Sequence, residues 1–192
     1  MAGYYANITL HGPTQREVVA HLTQEGQLAY VAPTLKRNTV VFHEDLGAQE
    51  RLAGELSRYF HCPALLVMAY GESILLYELH VKGERADAYV SAPHEGLELD
   101  GATPEGSAAV LCGAFGIEMD HLVKRVDRIL RTPTKPNAEY ALALNRHGEL
   151  ARALGLPLLA VGAGFAGIEV GELPQAEGFD PSNLVKTRPH GG

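Results

Sequence analysis

The first half of the chain alternates between short apolar runs and amphipathic segments. Residues 5–10 alternate hydrophobic and polar side chains and end at Gly12-Pro13, which predicts a strand closed by a turn. Apolar residues recur at helical spacing in residues 13–26 and again in residues 48–60, so we expect a helix in each segment. Between them, residues 28–32 and 39–42 are predicted to form the two strands of a hairpin.

Three more strands are predicted before residue 92. Residues 64–70 are nearly all apolar, which indicates a strand that is buried on both faces. Glycine-containing turns separate this run from strands at residues 74–81 and 85–91, where Tyr77 and Tyr89 are expected to face each other. The resulting order is β-α-β-β-α-β-β-β, whose first six elements follow a ferredoxin-like, or split β-α-β, unit. We therefore expect an α+β fold in which two antiparallel strands extend that unit to about six strands, with both helices on one face.

The second half is predicted to be mainly helical. Residues 93–106 are polar and contain glycine, and we expect them to link the sheet unit of residues 1–92 to a segment of residues 107–192. Helices are predicted at residues 107–115, 119–130 and 139–154, followed by a glycine-rich turn between short strands at residues 158–161 and 165–170. From residue 175 onward we expect a loose tail. This segment is expected to pack on the first unit as one domain, over the sheet face opposite the first two helices, unless a partner covers that face.

Composition narrows the classes of function. The chain of 192 residues is 46% hydrophobic and 20% charged, which is enough to bury a core. Its formal net charge of −7, with no large basic cluster, disfavours a nucleic-acid partner. We expect no membrane partner, because no apolar run approaches the length of a spanning helix. Two cysteines outside any C-x-x-C pair, and a start without a secretory signal, predict a cytoplasmic protein with reduced thiols.

The nearest match to a functional motif lies at residues 162–167, which form the pattern G-x-G-x-x-G. In a dinucleotide-binding domain this pattern joins a strand to a helix whose N-terminus receives the pyrophosphate. Here the following residues include a β-branched pair, Gly171 and Pro174, which are poor residues for a helix. We therefore predict a glycine-rich turn, and no cofactor.

Other catalytic patterns receive little support. The nine histidines include no H-E-x-x-H pair, so no metal is predicted. Cys62 follows His61, an arrangement that fits either a nucleophile or a small buried residue before a core strand; we favour the buried residue. We also interpret Cys112 as a packing residue. The chain contains neither the G-x-S-x-G nor the P-loop pattern, and no catalytic residue is assigned.

Three hypotheses about function follow. The first is a non-enzymatic binding or protein-interaction module, with a second copy as a natural partner because the predicted sheet leaves an open edge. The second is a small-molecule-binding protein or enzyme with a pocket at the glycine turn. The third is an accessory protein whose acidic charge matches a basic toxin or receptor. The predicted ligand-binding residues of the second hypothesis are Gly162, Gly164, Gly167, His11, His43, Tyr70 and Glu169.

Overall fold

The computed structural model describes residues 4–94, 96–98, 102–136, 139–174 and 176–188. Seven strands in these residues form one antiparallel sheet. They are β1 (Tyr4–His11), β2 (Ala29–Val31), β3 (Asn38–His43), β4 (Pro63–Tyr70), β5 (Ile74–Val81), β6 (Glu84–Val90) and β7 (Val185–Lys186). Their order across the sheet is β6-β5-β4-β1-β3-β2-β7. The predicted α+β class is confirmed, and the sheet has one strand more than expected.

Six α-helices accompany the sheet in the described residues. They are α1 (Gln15–Gln24), α2 (Gln49–Phe60), α3 (Ala108–Ala114), α4 (Asp120–Arg131), α5 (Ala143–Leu154) and α6 (Phe165–Glu169). The first two agree with the sequence prediction to within two residues at each end. Helix α1 starts after Thr14, whose hydroxyl accepts from the Glu17 amide while the Glu17 carboxylate accepts from the Thr14 amide, so the cap fixes the helix start. None of these helices is long and apolar enough to cross a membrane.

The two faces of the sheet carry different layers. Helices α1 and α2 share one apolar core with the strands, as predicted, because their hydrophobic stripes face the same side of the sheet. The residues of this core include Ile8, Leu10, Val18, Leu22, Leu52, Leu56 and Leu66. Helices α3, α4 and α5 cover the opposite face, where the core includes Tyr5, Leu65, Val67, Leu111, Ile129 and Leu150. The second face is therefore covered by the C-terminal helices of the same chain.

The β5–β6 hairpin is joined to the start of α3. Tyr77 and Tyr89 lie opposite each other, as predicted, and their rings stack with centroids 5.4 Å apart. The Tyr77 hydroxyl donates to Asp87 Oδ2 at 2.7 Å, and the same oxygen accepts from the Ser107 amide at 2.9 Å. The Val90 amide donates to the Pro104 carbonyl, so the described end of the predicted linker pairs with β6. Residues 95 and 99–101 of that linker lie outside the described residues.

Two predictions for the C-terminal segment are wrong. The predicted strands at residues 158–161 and 165–170 are a 3₁₀ turn (Leu158–Ala160) and helix α6. Their apolar residues pack on the face of the sheet instead of joining its edge, as Leu159 and Ile168 do against Phe42.

The predicted loose tail is also ordered in part. It supplies β7, whose neighbour Thr187 accepts a hydrogen bond from the Ala29 amide at 2.9 Å and donates to the Gln27 carbonyl at 2.7 Å. The bond from Ala29 satisfies a polar group of β2 that an open edge would leave to solvent. Residues 175 and 189–192 of the predicted tail lie outside the described residues.

Candidate functional site

A cleft opens where strands β1 and β3 part. Strand β1 pairs with β4 from Tyr4 to Leu10, but with β3 only from Ile8 to His11. Continued pairing would place Ala6 opposite His43, yet the His43 carbonyl accepts from Gln49 Nε2 at 3.0 Å instead. The third side of the cleft is formed by the residues that follow the 3₁₀ turn, together with helix α6. The cleft measures about 450 Å³ and is lined by Tyr4, Tyr5, Ala6, His43, Glu44, Leu46, Gly162, Gly164, Phe165, Ala166, Gly167, Val170 and Glu172.

The glycine turn is held on the sheet by Asn7. The side chain of Asn7 is fully buried, and its Nδ2 donates to the carbonyls of Ala160 at 2.7 Å and Ala163 at 2.9 Å. Its Oδ1 has no hydrogen-bond partner among the described residues. A buried amide that donates twice positions the turn, because leaving those carbonyls unpaired in the interior costs free energy.

Tyr5 forms the floor of the cleft and joins the turn to helix α5. Its hydroxyl is hydrogen-bonded to His147 Nδ1 at 2.9 Å and accepts from the Gly162 amide. The two rings stack with centroids 5.6 Å apart. Burial raises the pKa of Tyr5 and lowers the pKa of His147 to about 3. Both groups are therefore neutral near pH 7.

Two glycines allow the turn to approach strand β1 and helix α5 closely. A Cβ at Gly164 would lie 3.2 Å from Tyr5 Cβ and 3.4 Å from the Ala6 amide nitrogen. Gly162 has a φ of +75°, and a Cβ there would lie 2.7 Å from Leu144 Cδ1. Glycine is therefore favoured at residue 164 by the close packing on β1, and at residue 162 by the left-handed backbone conformation.

Four of the predicted ligand-binding residues line this cleft: Gly162, Gly164, Gly167 and His43. His43 is buried, however, and both ring nitrogens have partners within the protein. Its Nε2 lies 2.9 Å from Gln27 Oε1, and its Nδ1 lies 3.2 Å from the Asp45 amide nitrogen. The ring of His43 therefore supports the loop after β3, and only its surface contributes to the cleft wall.

The other three predicted residues lie elsewhere. His11 is at the far end of β1, where Nδ1 is 2.8 Å from Asn38 Oδ1 and the ring contacts Phe115. Tyr70 lies beside the cleft without lining it, in an edge-to-face contact with Tyr4 at 5.2 Å. The structure does not bring these two residues together with the glycine turn.

Glu169 points away from the cleft and joins α6 to the sheet edge. Its carboxylate accepts from Lys186 Nζ at 2.5 Å and from the Tyr30 hydroxyl at 2.6 Å. Those two hydrogen bonds, that of Lys186 first, lower the pKa of Glu169. The Lys186 ammonium also lies over the rings of Tyr30 and Phe165, at 5.2 and 5.6 Å from their centroids.

The rim of the cleft consists of Tyr4, Leu46 and Val170, none of which is among the predicted ligand-binding residues. These apolar side chains are 61%, 49% and 75% exposed. Leu46 precedes α2 and falls outside its apolar stripe, and Val170 lies three residues after the end of the glycine motif, in a predicted strand. The available signal was therefore a large apolar residue outside every predicted element, which holds for Tyr4 and Leu46.

The motif at residues 162–167 does not join a strand to a long helix. The 3₁₀ turn precedes it, and α6 begins at Phe165 and ends at Glu169, with Gly167 inside the helix. Helix α6 thus begins within the motif and continues for two residues beyond it, where no helix was expected. A β-α-β unit of the dinucleotide-binding type is nevertheless not formed by these elements. Among the described residues, no group of three or more His, Cys, Asp or Glu side chains is placed to hold a metal ion.

Cys62 is buried at the start of β4, and burial raises the pKa of its thiol to about 11. We therefore expect iodoacetamide to label Cys62 slowly in the folded protein at neutral pH, because the reactive thiolate is a very small fraction of the population. Mass spectrometry of the labelled peptide, with the protein in urea as the reference for full reactivity, measures the rate. Equal rates in the folded and unfolded states would contradict the buried interpretation.

Replacing Asn7 by leucine is expected to lower the free energy of unfolding by about 2 kcal/mol, because the Ala160 and Ala163 carbonyls lose their donor. Urea denaturation measures the change. Asn145→Leu, at an exposed position on α5, is the matched control and should shift the free energy of unfolding by less than about 0.5 kcal/mol. Equal losses in the two variants would show that Asn7 does not hold the turn.

Comparison with known proteins gives no assignment: no protein-family model, curated protein or solved structure matches the chain.

Proposed function

We propose that this protein is a non-enzymatic protein-interaction module that docks its partner at the cleft beside the glycine turn. The observation that carries the proposal is the exposed apolar rim of Tyr4, Leu46 and Val170 around a concave surface. Exposed apolar side chains scattered singly are ordinary, whereas a group of them around a cleft is typical of an interaction surface. Tyrosine at such a rim supplies a large contact area at a low cost in conformational entropy.

Charge favours a basic partner. Among the described residues that line the cleft, the charged ones are Glu44 and Glu172, and both are acidic. The chain as a whole has a formal net charge of −7. Charge of one sign on a surface steers the approach of a partner with the opposite sign. The partner segment we propose therefore combines an apolar side chain with lysine or arginine.

The polar groups at the floor of the cleft favour a binding function over a catalytic one. A general base works best when its pKa lies near the operating pH. Burial moves the pKa of Tyr5 up and that of His147 down to about 3, so neither exchanges a proton readily near neutrality. His43 has both ring nitrogens occupied by Gln27 and Asp45.

We also infer that the first four strands with α1 and α2 form a ferredoxin-like unit. The consecutive strand order β4-β1-β3-β2 within the sheet, with both helices on one face, supports this inference. In this arrangement β5 and β6 extend the sheet beyond β4, and β7 extends it beyond β2.

A phage-displayed library of random heptapeptides tests the docking proposal. We expect peptides selected on the unmodified protein to lose binding to the double variant Tyr4→Ser/Val170→Ser, because both rim side chains are truncated. The matched control is Tyr59→Ser/Val110→Ser, which removes a tyrosine and a valine that are also exposed but lie on α2 and α3. Equal loss of binding in both variants, or no enriched peptide, would overturn the proposal.

The second candidate is binding of a small molecule in the same cleft. The volume of about 450 Å³ favours it, because pockets for small ligands commonly measure roughly 300–1,000 Å³. Native mass spectrometry discriminates between the two candidates. A mass above the 20.6 kDa of the chain that returns to the chain mass on denaturation would favour the small molecule, and would identify it by the difference.

A further inference from the structure

We propose that the partner docked at the cleft is a second copy of this chain, which inserts the tip of its β2–β3 hairpin. This inference rests on the docking function proposed above, and it names the partner. Three observations point to it: the backbone conformation of the hairpin tip, the exposed side chains that the tip carries, and the opposite charges at the two ends of the sheet.

The tip of the β2–β3 hairpin is a two-residue turn formed by Lys36 and Arg37. Their φ angles are +48° and +67°, and hydrogen bonds in both directions between Leu35 and Asn38, at 2.8 and 2.9 Å, close the turn. A hairpin turn with two positive φ angles prefers asparagine followed by glycine, because other side chains are disfavoured in the left-handed region. Here two long basic side chains occupy it, and both are exposed. A disfavoured conformation that is kept at exposed residues points to a function of their side chains.

The tip is rigid, and it has the chemistry that the docking proposal requires of a partner. The Gly12 amide donates to the Arg37 carbonyl at 2.8 Å, and Asn38 Nδ2 donates to the Lys36 carbonyl at 3.3 Å. Leu35, beside the two basic residues, is 43% exposed. The tip therefore presents an apolar side chain together with lysine and arginine. Because its backbone is already fixed, docking loses little conformational entropy.

The two ends of the sheet carry charges of opposite sign. At the His11 end of β1, the loops that connect the elements from β1 to β6 contain three basic residues and no acidic one: Lys36, Arg37 and Lys82. At the Tyr4 end, beside the cleft, these loops contain four acidic residues and no lysine or arginine: Glu25, Glu44, Asp45 and Glu72. Opposite charges at the two ends steer copies into head-to-tail contact. The net charge of −7 opposes this contact only weakly, because exposed charges more than about 8 Å apart are largely screened at physiological ionic strength.

The tip and the cleft are different surfaces, so the proposed interface is heterologous. The eight residues of β1, at about 3.3 Å per residue, separate the two surfaces, and a tip therefore cannot reach the cleft of its own chain. Each copy that docks its tip leaves its own cleft free for another copy. Assembly therefore continues into a ring or a filament and does not stop at a symmetric dimer.

Two variants that each disable one of the two surfaces test the proposal. The tip variant Lys36→Asn/Arg37→Gly removes both charges and supplies the residues that suit the turn, so its midpoint of urea denaturation should not fall. The rim variant is Tyr4→Ser/Val170→Ser. In analytical ultracentrifugation we expect the average mass of the unmodified protein to rise above the 20.6 kDa of the chain with concentration, whereas each variant alone stays at the chain mass.

A mixture of the two variants gives the decisive measurement. The tip variant retains a cleft and the rim variant retains a tip, so the mixture should form a complex of twice the chain mass that grows no further. Failure of the mixture to form this complex, a monomeric unmodified protein, or full association of the tip variant alone would each overturn the inference.

The matched control is Lys124→Gln/Arg128→Gln, which removes one lysine and one arginine from exposed positions on α4 and should associate as the unmodified protein does. Loss of association in this control would reduce the effect to net charge and overturn the inference. Phage selection on the tip variant, whose cleft stays free, separates the two proposals. If peptides bind at its rim while the unmodified protein remains monomeric, the docking function stands and self-recognition fails.

Discussion

Replacement of Arg146 by methionine is expected to lower the free energy of unfolding by about 3 kcal/mol. The side chain of Arg146 is only 1% exposed, and its guanidinium donates to the carbonyls of Ile129 and Thr132 and to Thr134 Oγ1. Methionine retains the stem but supplies no donor. The variant therefore leaves buried acceptors unpaired at the point where α4 ends, and it leaves a space where the planar group was.

The surroundings of Arg146 explain how a charge is tolerated there. Ile129 lies in the last turn of α4 and Thr132 is its C-cap, so the guanidinium faces the negative end of the helix dipole. The ring of Tyr140 lies 4.6 Å from Cζ and that of Tyr89 lies 6.0 Å away. Burial lowers the pKa of Arg146, but a guanidinium stays protonated at neutral pH.

Chemical denaturation in urea measures this prediction, with two variants for comparison. Arg146→Lys keeps the charge but has no planar fork, so it should lose nearly as much stability as methionine. Arg152→Met removes an exposed arginine from the same helix and should cost less than about 0.5 kcal/mol. A loss of stability in Arg152→Met as large as that in Arg146→Met would show that the network at the end of α4 contributes little.

One feature of the sequence indicated that Arg146 and His147 are buried. Both fall on the stripe of α5 that carries Ala143, Leu150 and Leu154, and all five residues are buried. A polar residue on an apolar stripe of a helix must find partners in the core. The sequence does not show those partners, because Tyr5 and Thr132 are distant along the chain and are brought close only by folding.

The strands of the first half were predictable because each is bounded by turns and shows either alternation or a continuous apolar run. Residues 158–161 and 165–170 have the same apolar character, yet they form short helices against the sheet face. The turn between these two segments is held by Asn7, whose side chain donates to the Ala160 and Ala163 carbonyls from the other end of the chain. Local pattern alone does not contain that contact.

The candidate site was predictable to a similar extent. The glycines marked a place where the backbone approaches another segment, and Gly162 and Gly164 do pack against Leu144 and Tyr5 as the floor of a cleft. The polar residues were chosen because they lie at the ends of predicted elements. That criterion does not show which strand ends lie close together in the folded sheet. His11 lies at the end of β1 that is opposite the cleft. Tyr4 lies outside every predicted element and Val170 was predicted as part of a strand, so neither was recognised as a rim residue.

Lowering the pH from 7 to 5 is expected to cost about 2 kcal/mol of folding free energy through His147 alone. In the folded protein the imidazole is hydrogen-bonded to the Tyr5 hydroxyl, and burial lowers its pKa to about 3. In the unfolded chain a histidine titrates near its ordinary value of about 6.5. Between these two values the unfolded chain binds a proton that the folded protein does not. Stability is therefore greatest above about pH 6.5 and falls as the pH drops toward 3.

Urea denaturation across this pH range, on the unmodified protein and on His147→Gln, isolates the effect. Glutamine offers an amide oxygen to the Tyr5 hydroxyl and does not titrate, so we expect a shallower loss of stability between pH 7 and pH 5 whatever the variant's stability at pH 7. Burial also lowers the pKa of His21, which leaves a smaller slope of the same sign in the variant. His121→Gln, at an exposed position on α4, is the control and should keep the full slope. If His147→Gln keeps that slope as well, the acid sensitivity arises from other groups. The His147 imidazole below the cleft would then take up a proton without loss of the fold.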